Sequence, residues 1–233
     1  MNTNNRLDRE HQAAQNTGLP IVFVVDDDVS VRESLELLID FAKCQPVLFE
    51  SAQEFLDQPR PQVPSCLVLD INLPGLNGLD LQSKIANDRP DMPIIFITGY
   101  GDIPRSVRAM KAGAVEFLTK PFDDKVLLKA IGDAHQSSRV ALEKENFMRS
   151  LREKYASLTP REQEVMAMVV AGLMNKVIAA DLSISEITVK AHRGKAMRKM
   201  KARSLAELVR MAEQLNATQN STGTRAAAGA VAL

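Results

Sequence analysis

Six side chains at the ends of apolar runs are of the types that carry phosphoryl chemistry. Asp26, Asp27 and Asp28 close Ile21-Val22-Phe23-Val24-Val25, and Asp70 closes Leu67-Val68-Leu69. Thr98 closes Pro93-Ile94-Ile95-Phe96-Ile97, and Lys120 follows Ala114 to Thr119. A carboxylate at such a place can attack phosphorus and form an acyl phosphate. Adjacent carboxylates repel one another, so a fold that gathers them compensates them with a cation. Mg²⁺ suits the task, because it prefers a few carboxylate oxygens together with phosphate oxygens and water. Lys120 would pair with Asp70 at rest and with a phosphate oxygen later, and Thr98 would donate to the phosphoryl group once it arrived. Asp28 is read instead as a solvated acid or a helix cap.

These residues can act together only if the chain between them brings them to one edge. Ile21 to Val25 is continuous, β-branched and apolar, as a strand buried on both faces must be. Pro46 to Phe49, the run ending at Asp70, Pro93 to Thr98 and Ala114 to Thr119 supply four more strands. Between them Val31, Leu35, Leu38 and Ala42 fall on one helical face, and Ser51 to Glu54 has a capping-box pattern. Leu79 to Asn87 is helical and stops before Pro90, Ile103 to Lys111 is closed by Gly113, and Asp123 to Ala134 forms the last helix. A loop punctuated by Pro74, Gly75 and Gly78 follows Asp70 at once. Five strands alternating with five helices predict a doubly wound parallel sheet, whose chemistry collects beyond the carboxyl ends of its strands.

The chain has 233 residues, 45% apolar and 25% charged, as an ordinary globular protein of one large domain or two small ones would. Cys44 and Cys66 have no CxxC spacing and no histidine nearby in sequence, so they are read as reduced thiols. No apolar run approaches the length of a membrane span. Met1 to Leu19 is polar, lacks an apolar signal region and is expected to be a disordered lead-in. A cytoplasmic protein without membrane association is expected.

The second part of the chain is all helical in pattern. From Gln136 to Ser157, Val140, Leu142, Phe147, Leu151 and Tyr155 are spread among charges, as in an amphipathic helical linker. Thr159-Pro160-Arg161-Glu162 is a capping box with Pro at the first helical position, and Gly172 ends that helix. Asn175 is expected to cap a short helix through Leu182. Ser183 to Ser185 makes a turn, and helices follow over Glu186 to Met200 and Ser204 to Leu215, before a tail expected to be disordered. The helix from Glu186 carries Lys190, Arg193, Lys195, Arg198 and Lys199, with Lys201 and Arg203 just beyond, against the single acid Glu186. Such a cationic helix suits the major groove of DNA. Thr188, Lys190 and Arg193 are the expected contacts in or beside the groove, and Lys176 and Lys199 the expected phosphate contacts. The strand-rich half has more acids than bases, so the zero net charge is the sum of two opposed halves. The expected boundaries are a lead-in over 1–19, a sheet domain over 20–136, a linker over 137–156, a helical domain over 157–216 and a tail over 217–233.

The first domain resembles the receiver domain of two-component response regulators. The resemblance rests on Val24-Val25-Asp26-Asp27, Leu69-Asp70 with Pro74 to Gly78, Thr98-Gly99 and Lys120-Pro121-Phe122. The spacing fits too: Asp70 follows Asp27 by 43 residues, and Thr98 and Lys120 follow Asp70 by 28 and 50. The second domain resembles the LuxR-type helix-turn-helix, on Leu158 to Glu162, Gly172 to Lys176, Ile178-Ala179 and Thr188 to Arg193. The Ile103 to Lys111 region, with Thr98 to Asp102 before it and Ala112 to Leu118 after it, is especially close to the FixJ branch of the FixJ/NarL family.

The resemblance implies a flavodoxin-like receiver joined to a four-helix DNA-binding domain, with Asp70 as phospho-acceptor. It implies Mg²⁺ held directly by Asp27 and Asp70, through water by Asp26, and by the backbone carbonyl of Asn72. Phe117 falls at the position of an aromatic switch residue. The implied partners are a cognate sensor histidine kinase, double-stranded promoter DNA, a second copy of the chain on phosphorylation, and RNA polymerase. The protein would be a regulator that assists its own phosphotransfer and dephosphorylation rather than an enzyme. Met174, Val177 and Gly194 depart from the common helix-turn-helix pattern and put individual DNA contacts in question. Two rivals stand beside this reading. One is a phosphorylation-independent regulator that uses its receiver only to dimerise. The other is a haloacid-dehalogenase-type enzyme, which wants a second Asp where Asn72 stands.

Overall fold

The computed structural model describes residues 18–59, 62–99 and 103–228, so the lead-in before Gly18 and the segment Tyr100 to Asp102 lie outside the described residues. The chain divides into two compact units, one ending at Glu143 and the other beginning at Lys144.

In the first unit five strands form one parallel sheet: β1 (Ile21–Val25), β2 (Gln45–Phe49), β3 (Ser65–Asp70), β4 (Ile94–Thr98) and β5 (Glu116–Thr119). Around it lie α1 (Val29–Phe41), α2 (Ala52–Leu56), α3 (Gly78–Asp88), α4 (Ile103–Lys111) and the start of α5 (Asp124–Ala156). The strand order is β2-β1-β3-β4-β5. The chain therefore steps one way from β1 to β2 and the other way from β3 onward. The ends of β1 and β3 flank the point where the order reverses, which is where a parallel sheet opens a crevice.

Every residue of β1 and β3 is buried, as continuous apolar runs require in a sheet covered on both faces. Alternation divides them: Ile21, Phe23, Val25, Leu67 and Leu69 enter one core, and Val22, Val24, Cys66 and Val68 the other. In the first core Phe23, Phe49 and Phe55 form a trio with ring centroids 5.6 to 6.0 Å apart. Each such pairing adds about 0.5–1.5 kcal/mol beyond burial. The two cores clamp the sheet from both sides, so the loops at its carboxyl edge hang from a rigid frame.

Asp28 caps α1, its carboxylate accepting from the Ser30 N–H at 2.8 Å. The Asp70 loop returns through Gly75, whose φ is +84°, and ends at Asn77, whose side chain caps α3. One boundary differs from the sequence reading. The last helix of the sheet domain and the expected linker form a single 33-residue helix, α5. Nothing between Asp124 and Ala156 breaks it: there is no proline, and Gly132 alone costs about 1 kcal/mol.

The second unit packs the end of α5 with α6 (Pro160–Val170), α7 (Asn175–Asp181), α8 (Glu186–Met200) and α9 (Leu205–Ala228). Leu151, Leu158, Met166, Ala196, Met200, Leu208, Met211 and Leu215 make one cluster. Val165, Val169, Ile178, Ala179 and Val189 make a second. The capping box at Thr159 and Glu162 closes in both directions, and Ser185 caps α8. Asn175 does not cap α7. Met174 occupies that position without a side-chain bond, and Asn175 is already the first helical residue. The expected tail also differs, since α9 continues past Asn216 to Ala228; that stretch holds four alanines and no proline to stop it.

Candidate functional site

The strand ends bring Asp26, Asp70, Thr98 and Lys120 to one edge of the sheet. Asp26 and Thr98 are fully buried, Asp70 is 6% exposed and Asp27 is exposed. Lys120 Nζ donates to Asp26 Oδ2 at 2.6 Å and to Asp70 Oδ2 at 3.3 Å, so one ammonium bridges the two buried acids. Its closer partner is Asp26, not the Asp70 that the sequence reading paired with it.

Burial pushes the Asp26 carboxyl above its usual range, against the pull of Lys120 and of the Asp28 N–H that donates to it. Burial by itself would lower Lys120, but its bond to Asp26 and the charges of Asp26 and Asp70 lift it above its ordinary value. The result is a charged pair, Lys120 and Asp26, tied to a second acid, Asp70.

Oxygen atoms of Asp26, Asp27 and Asp70 lie within 4.8 Å of one another. An all-oxygen, all-carboxylate set is the donor chemistry of a hard divalent cation and unsuited to a soft one. Asn72 N–H donates to Asp70 Oδ1 at 3.1 Å, which orients the acceptor carboxylate. The Asn72 amide donates to Thr98 Oγ1 at 3.2 Å and accepts from Arg105 Nη1 at 2.9 Å. Phe117 is half-buried with its ring 6.5 Å from that of Phe96. Gly78 sits so close beneath the site that a Cβ there would meet the Asp70 carbonyl oxygen at 2.5 Å.

Two contacts escaped the sequence reading. Arg105 reaches Asn72 from α4, and Arg32 Nη1 donates to the Asp26 carbonyl at 2.7 Å from α1. Arg32 lies six residues from Asp26, so its reach could have been found by asking which cation faces the acid pair from α1. Arg105 had no such signal. The cysteines are free thiols, as read from the sequence, and a third contact that escaped it lies beside them. His135, distant in sequence, lies between them, 3.9 Å from Cys44 Sγ and 3.6 Å from Cys66 Sγ, with Nε2–H donating to the Ile21 carbonyl at 3.0 Å. Burial raises both thiols, which keeps them protonated and unreactive.

On the second unit, Lys176 and Lys190 are exposed, and Thr188 and Arg193 are half-buried. The Thr188 hydroxyl shares a 2.8 Å bond with Ser185 in the α8 cap. Lys199 is engaged in the fold: its ammonium donates to Glu162 Oε2 at 2.6 Å and to the Ser157 carbonyl at 3.0 Å. The bond to Lys199 holds the Glu162 carboxyl below the usual range. Lys199, read from sequence as a phosphate contact, thus joins the end of α8 to the cap of α6.

Residues 22–132 match the model for the response regulator receiver domain, and residues 156–212 match that for bacterial regulatory proteins of the luxR family. Nodulation protein W of Bradyrhizobium diazoefficiens is 52% identical over 87% of this chain and 89% of its own length. The transcriptional regulatory protein FixJ of the same organism is 42% identical over 82% and 93%. A solved structure of the response regulator StyR superposes with a TM-score of 0.77 at 46% identity, covering 84% of this chain and 99% of that one. Among the described residues no helix is long and apolar enough to cross a membrane.

Proposed function

This chain belongs to the two-component response regulators that join a receiver domain to a LuxR-type DNA-binding domain, and we propose that phosphorylation of Asp70 controls its binding to promoter DNA. The observation that carries this is the Lys120 ammonium bridging two buried strand-end carboxylates beside Asp27 and Thr98. In the proposed reaction an Asp70 carboxylate oxygen attacks the phosphorus of a phosphohistidine on a partner kinase. The O–P bond forms, the P–N bond breaks, and the imidazole departs with the electron pair.

Asp26, Asp27, Asp70 and the Asn72 carbonyl would hold Mg²⁺. Bound there, the metal supplies positive charge against the phosphoryl oxygens. The remaining work is done by this chain. Lys120 exchanges part of its bond to the acids for a phosphoryl oxygen. Thr98 turns from Asn72 to donate to the same group. Phe117 repacks, and the surface from Ile103 to Ala134 changes with it. Two chains pair through that change, which matches a promoter with paired half-sites. Lys190 and Lys176 contact phosphate or base edges, with Thr188 and Arg193 beside the groove, and a DNA target places this work in the cytoplasm.

The test is to treat purified protein and its Asp70→Asn variant with acetyl phosphate and Mg²⁺, and to read intact mass, oligomeric state and DNA binding together. One added phosphoryl group, absent from the variant and coupled to dimerisation and tighter binding, is the expected result. Undiminished acetyl-phosphate-stimulated DNA binding by Asp70→Asn would remove Asp70 from the mechanism. Tight DNA binding by a receiver that accepts no phosphoryl group from acetyl phosphate or a kinase would favour a phosphorylation-independent dimerisation module.

A further inference from the structure

We infer that the outward stripe of α8 reads thymine methyl groups in the major groove, with Ile187 as the specificity-determining side chain and Gly194 as the point of closest approach. The inference rests on the DNA-binding reading and asks what kind of base contact this helix can make.

The inner face of α8 is fixed by Val189, Ala196 and Met200, all buried. At 3.6 residues per turn the opposite face is then Ile187, Ala191, Gly194 and Arg198. Ile187, Ala191 and Arg198 are exposed and Gly194 is half-buried. Lys190 and Lys195, both exposed, flank this stripe on either side. Arg193 lies on the inner rows with Val189 and Met200, and Thr188 is tied into the cap, so neither occupies the front of the helix.

Two residues of the stripe serve nothing inside the domain. Ile187 is 79% exposed at the second position of the helix, an apolar side chain left largely to solvent. Gly194 weakens a helix interior for no internal reason. A Cβ built there meets nothing nearer than Arg198 Nη1, at 3.9 Å. Both make sense against an outside surface that approaches closely and carries apolar groups, while the flanking cations require that surface to be anionic. Duplex DNA meets both demands. The C5-methyl of thymine is the apolar feature of its major groove, and the first turns of a recognition helix are the part that reaches base edges.

The experiment selects binding sites from a random duplex library with the full-length, acetyl-phosphate-treated protein. Each thymine of the selected site is then replaced by deoxyuridine, which removes only the methyl group. The expected result is a loss of about fourfold at one thymine in each half-site, the worth of one buried methyl. Ile187→Ser should select sites without that thymine preference and be indifferent to the replacement. Gly194→Ala should raise the melting temperature of the DNA-binding domain yet weaken binding to the selected site, a combination that a purely structural glycine would not give. Deoxyuridine tolerated at every position, or Ile187→Ser retaining the wild-type preference, overturns the inference while leaving DNA binding intact. A library that yields no enriched sequence removes the DNA-binding reading and this inference with it.

Discussion

Asn72 Nδ2 donates to Thr98 Oγ1 at 3.2 Å, and Arg105 donates to the oxygen of the same amide. In the resting protein the hydroxyl assigned to the phosphoryl group is therefore already engaged, two residues past the acceptor Asp70. Asn72→Ala removes that competing bond but keeps the backbone carbonyl assigned to the metal. A half-buried neutral hydrogen bond of this kind is worth about 0.5–1 kcal/mol, so the variant should bind beryllofluoride, a phosphoryl mimic, about twofold to fivefold more tightly. The effect should vanish in a Thr98→Ala background. If Asn72→Ala still tightens binding there, the amide acts on something other than Thr98.

Gly75 lies in the Asp70 loop and Gly78 opens α3 just after it, and alanine should affect the two differently. At Gly78 a Cβ meets the Asp70 carbonyl oxygen at 2.5 Å and the Ile71 Cα at 3.0 Å, backbone atoms that cannot swing aside. Gly78→Ala should cost about 1–3 kcal/mol in urea unfolding of the receiver and slow its phosphorylation, because the acceptor's own backbone has to move. At Gly75 the space is open but φ is +84°. Gly75→Ala should cost roughly 1–2 kcal/mol in backbone strain and leave the phosphorylation rate near wild type.

The carboxylate set gives a metal prediction that needs no phosphoryl donor. A ligand that binds only the folded state at a hundred times its dissociation constant adds about 2.7 kcal/mol of stability. Mg²⁺ should therefore raise the receiver's melting temperature in a saturable way, and chelation should reverse the shift. Asp27 is exposed, so Asp27→Asn leaves the packing alone and should abolish most of the rise. A variant that keeps the full metal response would show that the ion binds elsewhere.

How much of this was legible in the residues depended on whether the signal was local. Strand ends were, because a continuous apolar run stopping at Asp26 or Asp70 has one reading in a parallel sheet. So was the capping box at Thr159, whose two bonds lie within four residues. Contacts made across the fold were not. The 2.6 Å bond from Lys120 to Asp26 spans 94 residues, and the choice of Asp26 over Asp70 depends on side-chain direction at two strand ends. Lys199 counted as one more cation on a basic helix until its ammonium was found on Glu162, 37 residues back. The Asn175 expectation failed for a local reason: asparagine is common both at a cap and just inside one, and the helix began one residue early.

His135 supplies a pH dependence confined to the receiver. It is 6% exposed, donates to the Ile21 carbonyl and has Cys44, Cys66 and Arg139 as its titratable or charged neighbours. Burial holds its pKa below the ordinary 6.5, with Arg139 pushing the same way and the bond to Ile21 opposing. As pH falls through 6.5 the unfolded chain takes up a proton that the folded chain still refuses. Stability should therefore drop below that point, by at most about 1.4 kcal/mol per pH unit, until the folded imidazole also protonates. Above it this residue should contribute no slope. His135→Gln keeps a donor for Ile21 and removes the titration. The difference in unfolding free energy between the two proteins should be flat at neutral pH and bend only on the acid side. A bend on the alkaline side would assign the effect to another group.

Lys190 and Lys199 test what the basic charge of α8 is for, since they look alike in sequence and differ in contact. Lys190 is exposed on the flank of the outward stripe. Each phosphate neutralised releases counterions and adds about 0.9 to the slope of log affinity against log salt. Lys190→Ala should reduce that slope by about one and weaken binding to all duplexes alike, if its contact is to phosphate. Lys199 holds the 3% exposed Glu162 and the Ser157 carbonyl. Its loss leaves a buried carboxylate facing only the Thr159 N–H and hydroxyl, so Lys199→Ala should lower the melting temperature of the DNA-binding domain. Measured well below that temperature, the salt slope should equal that of the wild type. A slope reduced as far as in Lys190→Ala would return Lys199 to the DNA surface, and would mean that its bond to Glu162 gives way when the duplex arrives.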